Sequence, residues 1–184
     1  MKLGKAKEAG APPWSVPVRI SEIPEEGRSY QLDADERTRD AVARAVAVDA
    51  IPRLHAAFTL TRRGRDGLHV SGEVTALVDQ ACVVTLEPMQ SEIAEPVDIA
   101  FTAAGSRSPP AMAVELSLDA EDPPEPLENG TVDLGHVAVE FLALGIDPYP
   151  RKQGVAFEPP VSEADSETAA AHPFAALQAL KKGS

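Results

Sequence analysis

The side chains equipped for chemistry in this chain are one cysteine, four histidines and a dense set of carboxylates. The cysteine opens the stretch Cys82-Val83-Val84-Thr85-Leu86-Glu87-Pro88. A Cys-x-x-Cys pair at this place would be half of a zinc site, since two thiolates suit that ion. Position 85 is threonine, a poor ligand for a borderline-soft cation, so this chain alone does not make the half-site. A reactive thiol needs a nearby cation or helix N-terminus to favour the thiolate. The neighbours in sequence are Asp79 and Glu87, which favour the protonated thiol. Cys82 also shares its even-numbered phase with Val84 and Leu86, so it is expected as a buried structural residue in a strand that feeds the core.

Other chemistry has little to build on. The sequence has no glycine-rich phosphate loop, no Gly-x-Ser-x-Gly elbow and no His-Glu-x-x-His, the patterns that would place a phosphate, a nucleophilic serine or a zinc ion. His55, His69, His136 and His172 fall on separate expected elements. His55 and His69 are expected to face each other across a hairpin as a structural pair. Carboxylates are plentiful, but none sits beside an apolar signal that would drive two pKa values apart. No catalytic residue, cofactor or metal is therefore expected, and the chain reads as a non-enzyme.

The charge is −12 overall and uneven. Residues 71–130 hold twelve acids against the single cation Arg107, whereas residues 31–70 hold seven arginines against six acids. The acidic half repels phosphate and suits a basic partner, or else it is simply a solvated face. The arginines Arg37, Arg44, Arg62, Arg63 and Arg65 are the one RNA-facing candidate patch, with a solvated hairpin tip as the alternative. One cysteine excludes an internal disulfide framework. No stretch approaches the roughly 20 apolar residues of a membrane span, and the N-terminus carries no apolar leader pattern. A cytoplasmic protein with no membrane partner is expected.

The elements that must position these groups follow from periodicity. Residues 1–13 read as a disordered N-terminus, 14–150 as one domain, and 151–184 as a flexible tail with a short amphipathic segment at 173–182. Trp14 to Ile20 alternates as a short edge strand. Asp33 and Glu36 form a capping-box pattern that starts a helix. Its stripe is Thr38, Ala41, Val42, Ala45 and Val46, and Ile51-Pro52 ends it. Leu54, Ala56, Phe58 and Leu60 then alternate as a strand up to a glycine-punctuated turn at 62–67. Leu68, Val70, Val74, Ala76 and Val78 line one face of the next strand, with Gly72 marking a bulge. After Pro88 the phase flips to Ile93, Glu95, Val97, Ile99 and Phe101, so Pro88-Met89 is expected to be a bend or strand crossing. Loops are expected at 102–112 and 119–130, with a short strand at Val114, Leu116 and Leu118 between them. A second helix buries Leu134, Val137, Ala138, Phe141 and Leu142, with Asp133 or Thr131 as its cap and Gly145 at C′. The expected fold is α+β, a bent antiparallel sheet of about five or six strands with two packed helices. It is sandwich-like or a partly closed barrel.

The order and spacing of several motifs carry a resemblance. Cys82 to Pro88, an alternating strand to Phe101, an acidic loop, Asp133-Leu134-Gly135 with Glu140, and a Pro-x-Pro ending resemble the YceD family of large ribosomal RNA subunit accumulation proteins. The closing His172-Pro173-Phe174-Ala175-Ala176-Leu177 and Lys181-Lys182 resemble that family's Asn-Pro-Phe-type motif, with histidine in place of asparagine. Many members carry two cysteines in the first motif, and this chain departs from them at Thr85. The resemblance implies involvement in ribosomal RNA processing or large-subunit assembly without established enzymatic chemistry. It marks Cys82, Leu86, Glu87, Pro88, Asp133, Leu134, Gly135 and Glu140 as family-motif positions.

Three functions are weighed from here. The first is an assembly factor that binds a basic ribosomal or assembly protein through the acidic half. The second is an RNA-binding module that uses the arginines on ribosomal RNA. The third is an enzyme, a nuclease or a thiol-dependent activity. Phe174, Leu177 and Leu180, spaced three apart, either dock on the protein's own core or insert in a partner groove. The oligomeric state is open.

Overall fold

In chain order the elements are β1 (Pro17–Arg19), a 3-10 turn (Ile20–Glu22), β2 (Arg28–Asp33), α1 (Glu36–Val46), β3 (Ala50–Arg63), β4 (Gly67–Ala81), β5 (Pro88–Ala103), β6 (Glu125–Leu127), β7 (Thr131–Asp133) and α2 (Leu134–Gly145). They come from a computed structural model that describes residues 12–64, 66–103 and 124–156. The chain divides at Lys152: residues 1–152 form one unit and 153–184 another, of which 153–156 are described.

The three long strands form where apolar and polar residues alternate, because successive side chains of a strand point to opposite faces. Leu54, Ala56, Phe58 and Leu60 of β3, Leu68, Val70, Val74, Ala76 and Val78 of β4, and Ile93, Val97 and Phe101 of β5 are all buried. The register joins the two phases, with Ala76 opposite Ile93 and Leu68 opposite Phe101. Val42 and Ala43 of α1 and Leu134, Val137, Ala138 and Leu142 of α2 complete the same apolar core. Burying each such large side chain contributes about 1.5–3 kcal/mol. The alternate positions, from Arg53 to Arg63 on β3 and Gln90 to Ala100 on β5, include no buried residue. That sheet face is open.

The fold is α+β, as expected, but its sheet is mixed. The strand order is β2-β3-β4-β5-β6, and a separate two-stranded sheet pairs β1 with β7. The first four strands are antiparallel, whereas β6 runs parallel to β5, with Phe101 opposite Glu125. A parallel neighbour needs a long return connection, which residues 104–124 supply by length. The sheet does not close into a barrel: β2 and β6 are its edges among the described residues.

Several expectations are corrected. Asp33 ends β2 rather than starting a helix; the cap of α1 is Asp35, whose carboxylate accepts the Thr38 N–H at 2.8 Å. Both acids satisfy the local capping rule, and the pairing of Asp33 with His55 across the sheet decides between them. Ile51-Pro52 does not stop α1, which ends at Ala47 in left-handed conformation (φ 58°); it lies in β3, at a register irregularity between Ala50 and Arg53. Ala45 is exposed and Ala43 buried, the reverse of the expected helix stripe. Gly72 is no bulge, since the register runs unbroken through Phe58, Gly72 and Val97. Gly145 is the last residue of α2, not a left-handed C′; a Cβ there would lie 2.7 Å from Ile93 Cγ2, so its role is close approach to β5. The connector expected at 119–130 contains β6 and the buried Leu127. The strand expected at Val114, Leu116 and Leu118, most of the 102–112 loop and the tail segment at 173–182 lie outside the described residues.

Candidate functional site

The motif stretch that opens at Cys82 is a hairpin loop, not a strand. β4 stops at Ala81 and β5 begins at Pro88, directly opposite it. The loop closes through two backbone bonds: the Cys82 N–H donates to the Glu87 carbonyl at 2.9 Å, and the Leu86 N–H to the Cys82 carbonyl at 2.8 Å. Leu86 takes φ 59° in this closure and is 78% exposed, while Val84 is half-buried. The expected core row of Cys82, Val84 and Leu86 therefore keeps only Cys82. The phase flip before β5 is real, but it comes from reversing the chain within 82–87 rather than from a bend at Pro88-Met89.

A strap that follows α2 holds this hairpin. Gln80 Nε2 donates to the Asp147 carbonyl at 3.1 Å, the Val83 N–H to the Pro150 carbonyl at 2.9 Å, and Lys152 Nζ to Glu87 Oε2 at 2.8 Å. Asp147 in turn caps the Tyr149 N–H at 2.8 Å. Sequence reasoning noted the Pro-x-Pro ending here but missed Gln80, Asp147 and Lys152, whose partners lie some 65 or more residues away. Tyr149 and Val83 are 70% and 42% exposed, so with Leu86 the hairpin end carries three apolar side chains facing water.

Cys82 is fully buried, as expected, yet its proton affinity runs opposite to expectation. The Thr85 hydroxyl, then the backbone N–H groups of Lys152, Thr85 and Val84, bond the sulfur and lower its pKa to about 6 against the opposing effect of burial. The Lys152 N–H lies 3.5 Å from Sγ. The acids expected to hold the thiol protonated are otherwise engaged: Asp79 accepts from Gln90 Nε2 at 2.7 Å, and Lys152 holds the Glu87 carboxyl below its ordinary range. Because the folded pKa is depressed, the stability contributed by this thiolate is full above the unfolded value of about 8.5 and is lost as pH falls through about 6. Thr85→Val, which removes the hydroxyl with little change in shape, is expected to raise the thiol pKa. Ultraviolet thiolate absorbance against pH measures it; an unchanged midpoint would assign the shift to the backbone donors alone.

Asp133-Leu134-Gly135 is a junction rather than a reactive group. Asp133 Oδ2 accepts the Ser15 hydroxyl at 2.6 Å, and Oδ1 accepts the N–H groups of Val16, Gly135 and His136 at 2.8, 3.0 and 3.2 Å. One carboxylate thus caps α2 and anchors the strand entering β1. A Cβ on Gly135 would sit 2.8 Å from the Trp14 carbonyl, so only glycine fits. Leu134 is buried, and Glu140 pairs with His136 one turn away at 3.3 Å.

The two histidines do not meet. Their strand partners are Thr75 for His55 and Thr61 for His69. His55 places Nδ1 2.8 Å from Asp33 Oδ1 and Nε2 2.9 Å from Gln31 Oε1, and His69 Nε2 lies 2.8 Å from Asp98 Oδ1. Both serve the open sheet face as cross-strand polar pairs.

The arginines are divided. Arg37 and Arg44 are exposed on α1, which is tied at its two ends to Leu54 and Asp79 through the Ala34 and Asp49 N–H groups. Arg62 and Arg63 close β3 at its far end, beside the turn to β4. Some eight residues of extended strand, roughly 25 Å, separate the two pairs. Arg65, Phe174, Leu177 and Leu180 lie outside the described residues.

The carboxylates, in contrast, are concentrated. Residues 67–103, the β4–β5 ribbon, carry Glu73, Asp79, Glu87, Glu92, Glu95 and Asp98 and no lysine or arginine. Lys152 pairs with it at Glu87, and Arg53 lies 3.8 Å from Glu92 on the surface. Among the described residues no helix is long and apolar enough to cross a membrane. A family model described as large ribosomal RNA subunit accumulation protein YceD matches residues 70–181, from the ribbon through the hairpin and α2 into the tail. No curated protein and no solved structure matches the chain.

Proposed function

The chain belongs to the YceD family of large ribosomal RNA subunit accumulation proteins, and from that premise we propose that it is a non-enzymatic, cytoplasmic factor in large-subunit assembly that binds a basic ribosomal or assembly protein. The family name gives the role in large-subunit accumulation; the mode of action is the proposal. The observation that carries it is the β4–β5 ribbon, strands of 15 and 16 residues whose five carboxylates, with Glu87 in the loop between them, meet no lysine or arginine in the same segment. Such a surface repels the phosphates of bare RNA and attracts the lysine- and arginine-rich chains that coat it. The separation of Arg37 and Arg44 from Arg62 and Arg63 favours a basic protein over bare RNA as the partner.

The test is binding of the full chain to large-subunit proteins stripped of RNA, with and without nuclease. Binding is expected to survive nuclease and to weaken with salt. The doubly substituted Glu73→Lys, Asp98→Lys chain is expected to bind about tenfold or more weakly, a loss of roughly 1.4 kcal/mol. Binding that disappears with nuclease, or that the double variant keeps in full, would overturn the proposal.

A further inference from the structure

Among the described residues, the outer side of β5 has no strand beside it for most of its length. β4 pairs with β5 from Pro88 to Thr102, whereas β6 covers only Phe101 to Ala103. On the side away from β4, residues 88–100 therefore face no strand among the described residues. No other backbone hydrogen bond of the described residues reaches them. An unpaired edge of this length is a template for another chain, because each outward N–H and C=O wants a partner. Pro96 lacks an N–H and divides the edge. The clear run is Pro88 to Glu95, some 25 Å, room for a strand of six or seven residues.

The side chains on this run say which strand fits. Gln90, Glu92 and Ala94 are exposed, and the only charges are Glu92 and Glu95. Glu92 is 82% exposed, with Arg53 at 3.8 Å; Glu95 lies on the opposite face, in phase with the buried Ile93 and Val97 and beside Gly145 of α2. A second copy of this chain, edge to edge, would bring a second Glu92 and no cation of its own to this run and gain nothing from charge. A strand with lysine or arginine at alternate positions would set one of its cations beside Glu92 while completing the backbone ladder. The other edge, β2, carries one cation and one acid, Arg28 and Asp33, and the acid is already held by His55; it offers no such selection.

We infer that the Pro88–Glu95 edge of β5 is where a basic, extended segment of a partner protein adds as a further strand. This rests on the assembly-factor reading and specifies how the basic partner is held. Backbone hydrogen bonds provide the hold, and Glu92 selects for charge.

The experiment uses the full chain and a seven-residue peptide of alternating lysine and valine. The comparison peptide has the same sequence with every backbone nitrogen methylated, which keeps the charge and removes the donors. The first peptide is expected to bind about tenfold more tightly. It should slow hydrogen exchange of the outward-facing amides of 88–95 and leave β2 unchanged. Glu92→Lys, on an exposed side chain, should weaken binding about three- to tenfold. Equal binding of the two peptides, protection elsewhere than 88–95, or outward-facing amides of 88–95 already protected in the free chain would each overturn the inference. The two proposals fail separately. Stripped large-subunit proteins that bind without protecting 88–95 leave the assembly-factor reading standing and remove the edge. Peptide protection of 88–95 in a chain that ignores those proteins keeps the edge and removes the reading.

Discussion

Gly72→Ala is expected to lower the unfolding free energy by about 3 kcal/mol, the upper end of what overpacking a close-packed site costs. A Cβ at Gly72 would come within 1.9 Å of the Ala57 carbonyl oxygen and 3.0 Å of Phe58 Cα. Both are backbone atoms of β3, so no side chain can rotate aside. Relief requires β3 and β4 to separate where Phe58, among the largest fully buried side chains, stands opposite Gly72. For a domain of this size the loss corresponds to roughly 6–12 °C in melting temperature. Gly64→Asn is the control: its φ of 65° suits asparagine and nothing lies within 4 Å of a Cβ there, so its change should stay below about 1 kcal/mol. Equal melting temperatures for Gly72→Ala and the parent would show that β3 and β4 are not held this close.

Asp133→Ala is expected to cost about 2–3 kcal/mol and to loosen the N-terminal strand. It removes the cap of α2, worth about 1 kcal/mol, and leaves the Val16 N–H, a part-buried donor, without its acceptor. Hydrogen exchange at β1 and at the first turn of α2 should rise together, because a single carboxylate holds both. The pH dependence follows from the same bonds. Burial pushes the Asp133 carboxyl up, but the Ser15 hydroxyl and the N–H groups of Val16, His136 and Gly135 together hold it below the usual aspartate range. Its contribution is thus full above the unfolded value of about 3.9 and is lost as pH falls through the lower folded value. Asp133→Asn keeps an acceptor and loses the charge, so it should fall between parent and alanine and lack this acid-limb loss. Exchange rising at α2 but not at β1 would sever the proposed link between them.

These two residues differ in how visible they are from the sequence. Asp133 precedes an amphipathic run, and capping is a local rule, so its place at the start of α2 is legible directly. Its hold on Ser15 and Val16, more than 115 residues away, is not. Gly72 is conspicuous in a strand, but period-two patterning cannot distinguish a bulge from a close approach, because the deciding atom belongs to Ala57 on another strand. β2 escaped notice since Arg-Ser-Tyr-Gln-Leu-Asp alternates with little apolar content and lies on an edge.

The hairpin at Cys82 shows the same division within one motif. Burial of Cys82 and a reversal of side-chain phase near Pro88 follow from the order of residues alone, as do the acidity of residues 71–130 and the absence of any metal-binding spacing around Thr85. The sequence therefore determined which segments alternate, where charge concentrates and which family motifs are present, because each depends on near neighbours. Tertiary structure decided that 82–87 is a loop, that Thr85 and the Lys152 backbone bond the thiol, and that Lys152 neutralises Glu87. It also decided that β6 lies parallel to β5, pairing with it from Phe101 to Ala103. The reason is distance along the chain: these contacts join groups up to 70 residues apart, and their geometry is set by the packing of the whole sheet.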